Sequence, residues 1–425
     1  MYSPHLIEIS RLYQNSLIAD KTDKVTTVRP HDNPYTPNAG ARPPVLVGRD
    51  DQLESFEVLL ERLRRGYTEQ SMLITGLRGV GKTVLLTSFE ERARERGWTT
   101  VEAEITKSTA FGARMAQLVR RALFQLAPRA RWKDRAARAA AVLKSFQVTV
   151  APDGTVAAGL DVEAAEGFAD SGELGEDLTD LLVALGEAAR EHDSGVVFLI
   201  DEVHFLQTAE LEALIAALHK TVQRQLPITL VGAGLPQLPR LAGEAKSYAE
   251  RLFNFPRIGQ LSPAEAERAL VDPAQRLGVT YEKAAVEAIV AYTEGYPYFL
   301  QEYGNVLWDL AETSPLTATA VRDAREAVEA KLDSGFFRVR AERTTDLELR
   351  YMRAMAELGP EPQQARDVAA LLGRTSEQLG PTRSRLIDKG LLYTPGHGLA
   401  AFTVPQFDRF MRRTYALEAA DPRSG

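Results

Sequence analysis

The stretch Gly76-Leu77-Arg78-Gly79-Val80-Gly81-Lys82-Thr83 fits the pattern G-x-x-x-x-G-K-[ST]. Glycines let a backbone curl tightly, so that successive N–H groups converge on phosphate oxygens. A helix beginning at Lys82 would add the positive end of its dipole. The lysine ammonium can reach the outer phosphates of a nucleoside triphosphate, and the Thr83 hydroxyl can join a Mg2+ shell. The expected cradle is Gly76, Arg78, Gly79, Val80, Gly81, Lys82, Thr83 and Val84. A second motif, VVFLIDEVHFL, carries Asp201 and Glu202 out of an apolar run. Asp201 is suited to hold Mg2+ through its water shell, and Glu202 to accept a proton from an attacking water. Taken singly, the first motif could be a tight turn and the second a helix cap. Together they point to nucleotide hydrolysis. His204, three residues further on, is expected to pack or to serve an interface.

These groups need a frame. SMLITG reads as a buried strand entering the glycine turn, and KTVLLTSFEERARERG as the helix leaving it. WTTVEAEI, VVFLID and PITLVGAG read as further strands and RLFNFPRIG as a fifth, with helices between them. Strands alternating with helices imply an α/β fold, a mostly parallel sheet covered on both faces. A long helical stretch is expected from Phe111 to about Phe146. The next residues, FQVTVAPDGTVAAGL, predict a hairpin around Pro-Asp-Gly, followed by an acidic surface segment, an insertion at about 146–177. The expected domains are an extended arm over 1–44, a nucleotide-binding core over 45–260, a helical lid over 261–342 and a winged helix over 343–425.

Composition narrows the chemistry. The 425 residues include no Cys, so thiolate metal sites and disulfides are excluded, and the six His are scattered. A formal net charge of −7 leaves nucleic-acid contact to local patches. No apolar run is long enough to span a bilayer, and the N-terminal residues lack a basic patch followed by an apolar stretch. The expectation is a cytoplasmic protein with no membrane partner.

The two motifs, with their spacing and the helical tail, resemble the AAA+ P-loop ATPases from about Val45 onward. The branch they look most like is the initiator (origin-recognition-like) and STAND-like group. That resemblance implies ATP and Mg2+ as cofactors and ATP hydrolysis to ADP and phosphate. It also implies that LVGRD is the opening motif whose Gly48-Arg49 backbone lies beside the adenine. Arg251, in AERLFNF, resembles the arginine such proteins offer to the γ-phosphate, often of a neighbouring subunit; a surface salt-bridge role and Arg240 are the competing readings. EGYPYFLQ resembles the G-x-P motif that brings Pro297 and the lid to the nucleotide, and it also reads as a helix break. One departure stands out. After the fourth strand such proteins place a polar sensor, whereas this chain has Gly232, Ala233 and Gly234, with Gln237 as the nearest substitute. Slow hydrolysis is therefore expected.

The output is legible only as alternatives. In the winged-helix segment Gln378, Thr382, Arg383 and Arg385 could face a major groove, with Arg374 and Lys389 near phosphates. Glu377, Asp388 and Asp408 offset that charge, and winged helices also pack against partners. A second basic run includes Arg129, Arg131, Lys133, Arg135 and Arg138, which is either a DNA contact or a solvated helix face. The leading expectation is an oligomeric Mg-ATP-dependent AAA+ switch acting on DNA. The rivals are a STAND-like signalling or defence ATPase with protein partners, and a loader that hands a partner protein to DNA.

Overall fold

The computed structural model describes residues 27–126, 134–150 and 162–417. The core opens with helix α1 (Asp50–Arg64), whose Leu53, Phe56, Leu59, Leu60 and Leu63 recur on one buried face. Then come β1 (Ser71–Thr75), α2 (Lys82–Glu95), β2 (Thr99–Glu104), α3 (Phe111–Leu126), α4 (Asp134–Val150) and α5 (Leu174–Glu191). β3 (Val196–Asp201), α6 (Thr208–Gln223), β4 (Ile228–Gly234), α7 (Leu238–Ala245), α8 (Ala249–Leu252) and β5 (Phe253–Asn254) complete it. The five strands lie in the order β2-β3-β4-β1-β5, all parallel. That topology places β1 and β3 on either side of β4, so the glycine turn and the Asp201-Glu202 pair emerge at the same edge.

Alternation along β3 divides its side chains between two layers. Val197 and Leu199 pack with α1 and α2, while Phe198 and Ile200 pack with the layer of α3 to α6. Each such buried side chain contributes about 1.5–3 kcal/mol. Phe146–Val150, expected to be a strand of a hairpin, are instead the last turn of α4. Val142, Leu143 and Phe146 are buried there in one core with α5, and this packing overrides the β-branched residues that suggested a strand. The rest of the expected hairpin, 151–161, lies outside the described residues.

The lid contains α9 (Pro263–Gln275), α10 (Lys283–Thr293), α11 (Pro297–Leu310) and α12 (Ala318–Leu332). α9 starts on a capping box, Ser262 and Glu265 each bonding the other's backbone N–H, with Pro263 at the first position. A π-turn (Asp333–Arg338) and the short α13 (Val339–Ala341) lead to the C-terminal unit. This comprises α14 (Asp346–Leu358), β6 (Gln363–Gln364), α15 (Ala365–Leu371), α16 (Ser376–Asp388), β7 (Leu392–Tyr393), β8 (Leu399–Phe402) and α17 (Phe407–Thr414). Its three-stranded sheet has the order β6-β8-β7. Lid and C-terminal unit share one apolar core that runs from Val28 to Met411.

The arm is not free where it is described. Tyr35 is buried against the lid, its hydroxyl donating to the Leu270 carbonyl at 2.6 Å, and Arg29 accepts the Trp308 indole N–H at 2.9 Å. Among the described residues no helix is long and apolar enough to cross a membrane.

Candidate nucleotide site

The turn after β1 closes on Gly81, whose φ of +89° caps the start of α2 in a conformation that suits glycine. Lys82 is thereby aimed back over the loop, and its ammonium donates to the Gly76 and Leu77 carbonyls at 3.0 and 2.9 Å. Burial lowers its pKa below the ordinary lysine value, while Glu202 and Asp201 act the other way. Thr83 Oγ1 donates to Asp201 Oδ2 at 2.6 Å, joining the two motifs directly. Burial raises the Asp201 pKa, and the Thr83 hydrogen bond opposes that rise.

Glu202 has left-handed backbone, φ +55°. A non-glycine residue held there stores about 1–3 kcal/mol, and such residues gather at functional sites. Its Oε1 accepts from Arg78 Nη1 at 3.0 Å, and its Oε2 lies 3.3 Å from His204 Nδ1. His204 is buried, and burial, then the cations Arg78, Lys82 and Lys107, push its pKa down to about 3. The imidazole is neutral, and its Nδ1 accepts the Leu235 N–H at 3.4 Å. Gly234 makes room for it: a Cβ there would stand 3.3 Å from Nδ1. Thus the end of β4, which lacks a polar side chain of its own, carries one supplied by the neighbouring strand's loop.

These groups open on a cavity of about 420 Å³ between sheet, arm and lid. Arg78, Gly79, Val80, Gly81, Lys82, Thr83, Val84, Asp201, Glu202, Arg49 and Pro297 all line it. Gly76 takes part through the carbonyl that receives Lys82. Gly48 does not line the cavity. A Cβ on it would meet Glu265 at 2.7 Å, so it is packed into the lid, and Val45, Leu46 and Val47 form the wall instead. Arg49 points its guanidinium at the Val80 and Gly259 carbonyls, 3.0 and 2.9 Å away, and so pins the cradle from behind. Gln237 is likewise not beside the phosphate cradle: its Oε1 accepts the Thr394 N–H of the C-terminal unit at 3.3 Å.

Several lining residues carried no motif. Thr36 and Gly40 of the arm, Leu261, Ala269 and Gln301 of the lid, and Phe336 and Arg340 beyond it all face the cavity. The Pro/Gly-rich composition of the arm marked irregular backbone and nothing more. Arg251 sits on α8, exposed and away from this cavity. Arg383 donates to the Leu399 carbonyl at 2.6 Å, and Arg385 and Lys389 donate to the buried Glu348 at 3.0 and 2.5 Å. Thr382 is buried and cannot face a groove. Arg135 is exposed at the start of α4; Arg131 lies outside the described residues.

Comparison with known proteins agrees with this geometry. Residues 45–231 match the family model described as an AAA ATPase domain. Residues 334–411 match a model described as a domain of unknown function, DUF8462. No curated protein matches the chain. Among solved structures, the Walker-type ATPase PABY2304 of Pyrococcus abyssi is similar at 15% identity and a TM-score of 0.50, over 87% of this chain and 97% of that one. The Aeropyrum pernix ORC2 protein, solved as ADPNP-ADP complexes, is similar at 18% identity and a TM-score of 0.50, over 88% of this chain and 95% of that one. These likenesses speak for the fold; the family match and the cradle speak for the chemistry. Residues 45–231 are an AAA ATPase domain, and the chain that carries them is an ATPase.

Proposed function

We propose that the protein is a Mg-ATP-driven switch whose C-terminal unit, a winged helix, changes its docking with the nucleotide state. The observation that carries this reading is the contact between that unit and the phosphate loop. The Arg78 N–H donates to the Thr403 carbonyl at 2.9 Å, and the Arg78 guanidinium lies against Gly390 while it holds Glu202. One residue of the cradle therefore touches both the general base and the output unit. Lys107 and Asp388, 3.3 Å apart, and Gln237 with Thr394 extend the same interface.

In this reading Lys82 and the loop amides hold the phosphates. Thr83 and Asp201 offer the hard oxygen donors that suit Mg2+, which supplies charge neutralisation on the phosphates when bound. Glu202 takes the proton of the attacking water once Arg78 releases it. In this reading Arg251, exposed and not lining its own chain's cavity, serves the site of a neighbouring subunit in an oligomer.

Limited proteolysis tests the switch. Cleavage near residues 333–345 is expected to differ between ADP-bound and AMP-PNP-bound protein; identical patterns with both nucleotides bound would refute it. DNA as the partner rests on Arg135 and its neighbours, since Arg383, Arg385 and Lys389 are spent inside their own unit. DNA binding that weakens steeply with salt supports that output. Salt-insensitive or absent binding leaves a protein partner, as in a STAND-like signalling ATPase.

A further inference from the structure

A second cavity, of about 300 Å³, opens where the C-terminal unit meets the phosphate loop. That volume is at the lower end of what small-molecule sites occupy. Arg78 is its one wall residue from the sheet domain; the span 334–411, whose family model carries no function, supplies the rest. Arg340, Arg343 and Lys389 come from that span, so four cations face one space, and among the described residues no carboxylate lines it. Arg343 and Lys389 do not line the nucleotide cavity. Gly390, at φ +67°, keeps Arg78 within reach of this space: a Cβ there would stand 3.0 Å from Arg78 Nη2.

These cations hold donors in reserve. Arg343 is exposed, and its carbonyl, not its guanidinium, is what receives Lys389 Nζ, at 2.8 Å. Lys389 spends a second donor on Glu348, a buried carboxylate that Arg385 shares. Arg78 gives Nη1 to Glu202 and turns Nη2 toward Gly390. Arg340 donates to the Phe336 carbonyl. A guanidinium has five N–H donors and an ammonium three, so each of the four keeps hydrogens for a further acceptor. Burial, then the nearness of Arg78, lowers the Arg340 pKa to about 10, and Arg343 adds to that. Like charges gathered around a space with no acid among them are stabilised by an anion that accepts from several at once. A phosphate group has the oxygens for this, and its geometry matches the arginine fork.

We propose that this cavity is a second ligand site, separate from the nucleotide cavity, that takes a phosphate-bearing anion between Arg343, Lys389 and Arg78. The site stands on its own geometry; its effect on turnover rests on the reading of Glu202 as the base. Arg78 is common to both cavities and holds that glutamate. An anion that accepts from Arg78 here competes with Glu202 for one guanidinium and frees the carboxylate for a water. Two sources share this chemistry: the phosphate produced by the chain's own hydrolysis, and a diphosphate-bearing ligand from outside.

Calorimetric titration of the ADP-saturated full chain with inorganic phosphate and with pyrophosphate tests the assignment. Arg343→Gln, at an exposed position outside the nucleotide cavity, is expected to weaken anion binding by about 10-fold, the scale of a charge-assisted hydrogen bond, and to leave ADP affinity within about twofold. Val339→Glu, at a wall position 43% exposed, sets a carboxylate among the cations and is expected to abolish anion binding. Tighter binding of pyrophosphate assigns the site to an outside ligand, and tighter binding of phosphate assigns it to the product. With Mg2+ in excess and ATP saturating, the bound anion is expected to raise turnover in the wild type and not in Arg343→Gln; turnover indifferent to the anion overturns the coupling to Glu202. No anion binding to the ADP-saturated protein, or binding lost in Lys82→Ala and kept in Arg343→Gln, overturns the site. Failure of the wild type to bind ADP, with the anion still bound, would overturn the nucleotide reading and leave this site standing.

Discussion

Glu202 is held by a left-handed backbone and by the Arg78 guanidinium, while its other oxygen lies 3.3 Å from a neutral imidazole without a hydrogen bond. Sequence motifs identify such a glutamate but not what restrains it. In the present arrangement its carboxylate is paired with Arg78, so the proposed work as a base would require that ion pair to open. Glu202→Gln is expected to retain ATP affinity within a few-fold and to lower turnover by about 10²–10⁴, the usual weight of a positioned base. Lys82→Ala is expected to lose nucleotide binding altogether. Equilibrium binding beside a phosphate-release assay separates the two, and undiminished turnover in Glu202→Gln would remove the glutamate from the chemistry. His204 is a second lesson at this scale. Nothing in GAGLPQLP supplies a polar group near the cradle, yet the missing side chains on β4 are what admit the histidine.

Among elements, α16 shows how charge read from a sequence can mislead. In the sequence Arg385 looked available to a major groove and Lys389 to phosphates. Both instead reach the carboxylate of Glu348, fully buried on α14, which also receives the Thr345 N–H at 2.8 Å in a capping box. Burial alone would raise the Glu348 pKa, but the hydrogen bonds from Lys389, Thr345 and Arg385 prevail and hold it below the usual glutamate value. A lowered acid contributes stability that is present above the unfolded-state pKa and lost as pH falls through the folded one. The C-terminal unit is therefore expected to weaken below about pH 4, the ordinary glutamate range. Glu348→Gln is expected to cost about 1.5–3 kcal/mol and to flatten that acid dependence. Thermal unfolding between pH 3 and 7 checks both; an unchanged profile would show that the cluster contributes nothing. Arg383→Ala with Arg385→Ala is therefore expected to loosen the unit, so any loss of DNA binding in that variant needs a stability control.

For the whole molecule, the arm, sheet domain, lid and C-terminal unit all meet near one cavity. The arm and lid wall it, and the C-terminal unit touches the loop from the other side. A nucleotide bound there would bear on every part of the chain at once, as the proposed switch requires. The exposed Arg251 bears on assembly. If it completes a neighbour's site, specific turnover should rise with protein concentration, and Arg251→Ala should lower it by about 10³-fold or more. Turnover per subunit that is flat with concentration and unaffected by the substitution would return Arg251 to an ordinary surface role.

The amino-acid sequence alone determined the α/β alternation, the cradle at 76–84 and the acidic pair at the tip of β3. Each is a local matter, set by strand-length apolar runs and by glycines at a turn. It failed at Phe146–Val150, where side chains that favour a strand were outweighed by burial against α5. It placed Gly48 and Gln237 near the nucleotide, but contacts with Glu265 and Thr394, distant along the chain, hold them elsewhere. Short-range pattern encodes the glycine loop and the acidic pair; only long-range packing decides which other parts of the chain are brought to them.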